Sequence, residues 1–271
     1  MGAGRYVSIQ TSLLISVCAL VFIRLVMIDH IYKYPRLYIN VPFSQGAEIS
    51  LDAAHIHYLK NVLRKGVGDV LRVFNGRDGE WLASLKMLGK KNGLALLTEQ
   101  IKRQPDVSAP LYLFFAPIKK QRMDFLIEKA VELGVSGLYP VITNRTENRK
   151  LNEERMRSQI IEATEQCERL DLPTLYPAQK LPELLRMKET LFFDIPLLVC
   201  LERHEATTAL SSYSYEKGAA FLIGPEGGFD NQEVKALIAA ENIRLIDLGD
   251  TILRAETAAI ACLSYARILT S

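Results

Sequence analysis

Apolar and polar positions follow two different rhythms along the chain. In the first part, Leu37 to Val41 alternates, predicting a strand that ends at Pro42. "LDAAHIHYLKNVLR", Leu51 to Arg64, has helical spacing, with Ile56, Leu59, Val62 and Leu63 on one face and Asp52 as N-cap. "KGVGD" then turns the chain. Val70–Phe74 and Trp81–Leu88 read as two strands joined by the glycine-rich "NGRDGE", and Leu94–Ile101 as another. These elements predict a compact, mostly β module with one helix. "KRQPDVSAP", 102–110, has two prolines and little apolar content and reads as a linker.

Beyond it, strands alternate with helices. Leu111–Ala116, Leu138–Ile142, Leu197–Leu201, Ala219–Ile223 and Arg244–Leu248 are predicted strands. Arg122–Leu133, Asn152–Arg169, Asp230–Glu241 and Arg254–Leu269 are predicted helices. Such alternation predicts an α/β fold with a parallel sheet covered on both faces. The expected organisation is residues 1–34 as an apolar extension outside the functional fold, 35–105 as a small domain and 106–271 as a larger one.

Charge sharpens this division. The net charge of the 271 residues is only +2, which says little about partners. However, Arg36 to Arg103 holds 11 Lys/Arg against 6 Asp/Glu, while Asp106 to the end holds 19 against 24. A basic small domain beside an acidic large one suits contact with a polyanion through the former, although uneven solvated charge gives the same counts. Cys18, Cys167, Cys200 and Cys262 lack CxxC spacing, which argues against zinc or a disulfide framework and suits a reducing, cytoplasmic compartment. His55 and His57 cannot share a helix face, so they are not read as a metal pair; no metal is expected. Val7 to Ile23 is nearly continuous apolar sequence of borderline length for a membrane span. A membrane anchor and a packed helix compete with an appended leader, the reading favoured because "YPRLYINVP" already reads as the first strand of a domain.

In parallel sheets, ligands bind beyond the carboxyl ends of the strands. Three loops qualify: after Leu201, after Ile223 and after Leu248. The second, in "FLIGPEGGFDNQE", surrounds Glu226 with Gly224, Pro225, Gly227 and Gly228, where missing side chains let the backbone approach a ligand. The following helix start, Asp230 with Glu233, adds a positive dipole end. No Gly-Lys-Ser/Thr follows, so this is not a Walker loop, and the spacing is not that of a dinucleotide fingerprint. The third, "LGDTILRAETAA", places Arg254 at a helix start, against the dipole, which hints at an external task.

"IGPEGGF" with "LGDTILRAETA" closely resembles the RsmE family of the SPOUT methyltransferase class. "HIHYLKNVLRKGVGD" (55–69) resembles that family's PUA-like RNA-binding motif, and "KKQRMDFLIEKAVELGV" (119–135) with "EATEQCERLDLP" (162–173) its first catalytic-domain helices. The resemblance spans Pro35 to Thr270, with Cys167 a mild departure and residues 1–34 without a counterpart. It implies a PUA-like β-barrel followed by a SPOUT parallel sheet with a deep trefoil knot, acting as a homodimer. It implies S-adenosylmethionine as methyl donor and N3 of a uridine in 16S ribosomal RNA of the 30S subunit as acceptor. Leu201, Ile223, Gly224, Pro225, Gly227, Gly228, Leu248, Gly249 and Leu253 would line the cofactor site, and the helix of Cys262 the dimer interface.

N3 of uracil is protonated at neutral pH. Arg254 is therefore expected to stabilise an imide anion, and Glu226 to act as base or, alternatively, to hold its own loop. Glu256 is the weaker candidate base. RNA contacts are expected from Arg36, Lys60, Arg64 and Lys65 in the small domain, and from Lys119, Lys120, Arg122, Arg145 and Arg169 near the active site. A noncatalytic RNA-binding assembly factor, a related tRNA methyltransferase and a membrane-anchored protein are the competing readings.

Overall fold

The computed structural model describes residues 31–106, 109–191, 195–202 and 204–270. The anchor, helix and leader readings of Val7 to Ile23 lie outside the described residues. No described helix is long and apolar enough to cross a membrane. The chain divides into two compact units, with the boundary at Gln104/Pro105.

The first unit is a five-stranded sheet: β1 (Arg36–Tyr38), β2 (Glu48–Leu51), β3 (Val70–Phe74), β4 (Glu80–Leu88) and β5 (Gly93–Lys102), in spatial order β1-β3-β4-β5-β2. Only the β1–β3 pair is parallel. Among the described residues β1 and β2 are the two ends of this ladder, which makes up the small, mostly β domain expected. Leu37, Ile49, Leu59, Leu71, Val73, Leu85 and Leu97 fill its core. The expected N-cap is present: the Asp52 side chain accepts from the His55 N–H. The helix is shorter than its apolar spacing suggests. Regular α-helix α1 (Ala53–His57) gives way to a π-turn over Tyr58–Val62, closed by Leu63 N–H to the Tyr58 carbonyl. The wider turn shifts the side-chain register, so Leu59 stays fully buried while Val62, expected inside, is 58% exposed. Strand β2 carries only Ile49 and Leu51 as inward residues, too short an alternation to stand out in sequence.

The second unit is an eight-stranded, all-parallel sheet. Its strands are β6 (Leu111–Phe115), β7 (Gly137–Ile142), β8 (Thr174–Leu175), β9 (Gln179–Lys180), β10 (Leu197–Cys200), β11 (Thr208–Ala209), β12 (Ala219–Ile223) and β13 (Ile243–Asp247). Six of them lie in spatial order β11-β13-β10-β12-β6-β7; β8 and β9 both pair with β7. The helices are α2 (Lys120–Glu132), α3 (Glu153–Gln166), α4 (Leu181–Leu191), α5 (Asn231–Ala239) and α6 (Ala255–Thr270). Both sheet faces are covered, which is why the central strands are continuously apolar. Leu113, Phe115, Phe221 and Ile223 point to the α2, α3 and α6 side, with Leu126, Val131, Ile160 and Leu263. Phe114, Leu222 and Val199 point to the opposite side, with Leu181, Leu184 and Leu237. Helix α6 buries Ala258, Ala259, Cys262, Leu263 and Ala266, while Ile268 and Leu269 stay exposed. Strands β8, β9 and β11 and helix α4 have no counterpart in the sequence reading.

Candidate active site

Strands β13, β10 and β12 are neighbours, so the three loops leaving their carboxyl ends meet at one edge of the sheet. Between them lies a cavity of about 770 Å³, within the range of small-molecule sites. Leu201 and Glu202 line it after β10; Ile223, Gly224, Pro225, Glu226 and Gly228 line it after β12. Leu248 to Ala255 line it after β13, and Arg122 enters from α2. Of the residues expected at the cofactor, Gly227 alone is not on the wall; its task lies behind it.

Two glycines are required by conformation. Gly228 and Gly249 have φ of +67° and +108°, and an added Cβ at either would meet no atom within 4 Å. These are positions where the backbone itself faces open space. Gly224 is required by packing: a Cβ there would sit 2.9 Å from the Phe229 ring, which folds back over it.

The loop after β7 braces the glycine loop from outside. Arg145 Nη1 donates to the Gly227 carbonyl at 2.8 Å. The Asn144 N–H donates to Glu233 Oε1 at 2.7 Å, and its amide to Asp230 Oδ2 at 2.6 Å. Asp230 and Glu233 complete the predicted reciprocal cap of α5. The Glu233 N–H first, and then the Asn144 amide, hold the Asp230 carboxyl below the ordinary aspartate range.

Charge at the cavity centres on Arg122. Its Nη1 lies 3.6 Å from Glu226 Oε1 and its Nε 3.7 Å from Glu256 Oε1. Glu226 is a third exposed; Glu256 is buried, and its Oε2 has no hydrogen-bond partner among the described residues. Arg254 contrasts with Arg122. It is exposed on the cavity wall, and its side chain has no partner among the described residues. Its carbonyl accepts from Ala258 N–H, which starts α6. Cys200, also on the wall, has its Sγ 3.4 Å from that of Cys262; this contact, and then burial, raise the Cys200 thiol well above its ordinary pKa.

The structure sorts the expected RNA-contacting cations. Lys60 and Arg64 are exposed and Lys65 half-buried beside the π-turn; Lys119 and Lys120 are exposed at the start of α2. Arg36 is buried, pairs with Glu80 at 2.6 Å and stacks on Phe74, so it serves the core of the first unit instead of a phosphate. Arg169 donates to the Val131 and Val135 carbonyls and pairs with Asp171, tying α2 to the chain after α3. Arg122 and Arg145 belong to the cavity and its brace. Sequence reasoning missed Glu202 and the bridging role of Arg122. No local motif marks either; only the sheet order brings Arg122 to Glu256.

A family model described as an RNA methyltransferase domain matches residues 105–267. The chain belongs to the RNA methyltransferase family. A second model, an RNA methyltransferase PUA domain, matches residues 51–97. Among curated relatives, the ribosomal RNA small subunit methyltransferase E of Rickettsia conorii is 38% identical, over 88% of this chain and 97% of its own length. The protein of the same name from Bacillus subtilis is 28% identical over 81% and 90%. Among solved structures, a ribosomal RNA small subunit methyltransferase E from Neisseria gonorrhoeae bound to S-adenosyl methionine superposes with a TM-score of 0.75 at 28% identity. It covers 87% of this chain and 98% of that one. A methyltransferase from Legionella pneumophila in complex with the same cofactor gives 0.76, also at 28% and with the same coverage. In this RNA methyltransferase the family's catalytic domain is therefore the second unit, and the PUA match falls in the first.

Proposed function

We propose that the protein transfers a methyl group from S-adenosylmethionine to N3 of a uridine in 16S ribosomal RNA. The observation that carries this reading is the cavity edge where three backbone loops, Arg254 with no side-chain partner among the described residues, and a carboxylate converge. The cavity suits the cofactor in size and in chemistry. Leu201, Ile223, Leu248 and Leu253 offer apolar surface for adenine and the methionine chain. Pro225, Gly228 and Gly249 offer backbone to the cofactor, Gly224 lines the wall while making room for the Phe229 ring, and Gly227 holds the loop in place through Arg145. Glu202, Asp247 and Asp250 are carboxylates suited to hydroxyl and ammonium groups. When bound, the cofactor supplies the electrophilic methyl group.

The chain's own part is to prepare the acceptor. Arg254 brings a positive charge free to stabilise a uracil imide anion. Glu226 stands ready to take the N3 proton, and Arg122, between it and Glu256, fixes its position. Holding the acceptor in line adds the benefit of proximity. Lys60, Arg64, Lys65, Lys119 and Lys120 would position RNA through its phosphates. The working form is a knotted homodimer acting in the cytoplasm on 16S RNA of the 30S subunit.

The test is methyl transfer from labelled S-adenosylmethionine to 30S subunits from cells lacking their own enzyme, with bulk tRNA alongside, followed by nucleoside analysis by mass. 3-Methyluridine in 16S RNA is expected. Cofactor binding with methylation only of tRNA would refute the substrate, and no cofactor binding would return the protein to the noncatalytic assembly factors.

A further inference from the structure

Glu226 lines a second recess besides the large cavity. This recess has a volume of about 230 Å³ and is lined by Pro117, Ile118, Lys119, Glu147, Asn148 and Glu226. Pro117 and Ile118 are buried and form an apolar wall; Lys119 and Glu147 are exposed and Asn148 half-buried. The side chains of Lys119, Glu147 and Asn148 have no hydrogen-bond or ion-pair partner among the described residues. Glu226, paired with Arg122 on the cavity side, therefore stands at the divide between a cofactor-sized cavity and a smaller one whose other polar groups have no partner among the described residues.

The charge of this recess excludes one kind of ligand. Glu147 and Glu226 offset Lys119 and the Arg122 guanidinium that lies 3.6 Å from Glu226, so the recess has no excess of positive charge to hold a phosphate. It favours a neutral, flat group that donates to a carboxylate and accepts from its neighbours. The imide edge of uracil has that pattern: a carbonyl, an N–H and a second carbonyl in a row. Glu226 accepts from an N–H; Lys119 and Asn148 donate to carbonyls. Cytosine has no N–H at N3 and offers an amine where uracil has a carbonyl, so the same lining would set the Lys119 ammonium or the Asn148 amide against a donor. Sites built to hydrogen-bond a particular edge discriminate strongly, because the wrong partner leaves their polar groups unpaired.

We infer that this recess receives the acceptor base, and that Lys119, Asn148 and Glu226 read it as uracil. The inference rests on the methyltransferase reading above. It moves Lys119 from a phosphate contact to a specificity-determining one, and adds Asn148.

Two measurements test it. Saturation-transfer NMR with uridine 5′-monophosphate and cytidine 5′-monophosphate, in the presence of S-adenosylmethionine, should show the uridine nucleotide binding more tightly. Asn148→Asp and Lys119→Met should erase that preference. On 30S subunits, the same variants should lose at least about tenfold in kcat/KM, while the Kd for S-adenosylmethionine and the melting temperature stay unchanged. Equal binding of the two nucleotides by the wild type, or variants with unchanged kcat/KM, overturns the inference. Loss of cofactor affinity in step with activity overturns it as well, by assigning the recess to the cofactor. If the wild type prefers the uridine nucleotide but leaves 30S RNA unmethylated, the substrate reading fails and the recess stands.

Discussion

Arg145 donates a 2.8 Å hydrogen bond from its guanidinium to the carbonyl of Gly227. A residue on the loop after β7 thus fixes the backbone of the loop after β12. Arg145→Ala should free that carbonyl and let the loop sample other shapes. One charge-assisted bond at a partly exposed site is worth about 1 kcal/mol, so the Kd for S-adenosylmethionine should rise about fivefold. Titration calorimetry would show it; a loss of RNA affinity with unchanged cofactor affinity would return Arg145 to the phosphate contacts.

Arg254 is the exposed cation of the cavity wall without a partner among the described residues, so its removal should cost little in folding. Arg254→Ala is expected to keep the wild-type melting temperature and lower kcat by roughly 100- to 1,000-fold, the range seen when a charge-stabilising donor is lost. Single-turnover methylation of 30S subunits measures this, and turnover like the wild type would remove Arg254 from the mechanism.

Arg122→Leu should cost stability as well. Glu256 is buried, and the guanidinium is its ion-pair partner. Stranding a buried carboxylate is destabilising, though Arg122 is itself 36% exposed and solvent screens part of the effect. Urea denaturation should report a loss of about 1–2 kcal/mol. Restoration by Arg122→Leu combined with Glu256→Gln would identify the pair as the cause; no recovery would point elsewhere.

The Asp230 carboxyl, held below its ordinary range by the Glu233 N–H and the Asn144 amide, gives a pH signature. Its folded pKa is depressed, so its stabilisation is fully present above the unfolded value and lost as pH falls through the folded one. The melting temperature of wild type over Asp230→Ala should therefore be higher from pH 7 to about 5, with the gap closing below about pH 4. A gap constant down to pH 3 would contradict the assignment.

Reversing Arg64 and Lys65 to Glu should weaken RNA binding most at low salt. Each lost phosphate contact should lower the salt slope by about 0.7–0.9. Filter binding across a salt series would detect it, and parallel curves for variant and wild type would rule these residues out.

Much of this was legible in the sequence, for identifiable reasons. Strands β6, β10 and β12 are buried on both faces, so they are written as uninterrupted apolar runs. The cap Asp230/Glu233 and the glycines around Glu226 are local signals, complete within a few residues. Strands β8, β9 and β11 are two-residue pairings with no periodicity to read. The shortening of α1 depends on a π-turn that leaves no mark in composition. Arg36 and Arg169 look like surface cations because nothing nearby announces Glu80 or the Val131 and Val135 carbonyls. Arg122 and Glu256 meet only because β6 lies beside β12 and α6 packs over both.

That last adjacency bears on how the protein is made. Leu113 on β6 pairs with Phe221 on β12, and helix α6, which follows both in sequence, supplies part of their cover. Contacts this distant in sequence form slowly, because a long loop must close before any of them is rewarded. During synthesis the wall between Gly249 and Ala255 has no seat until α6 has left the ribosome. The cavity should therefore arise only once α6 has docked, and a chain lacking Ala255–Thr270 should have no cofactor affinity at all.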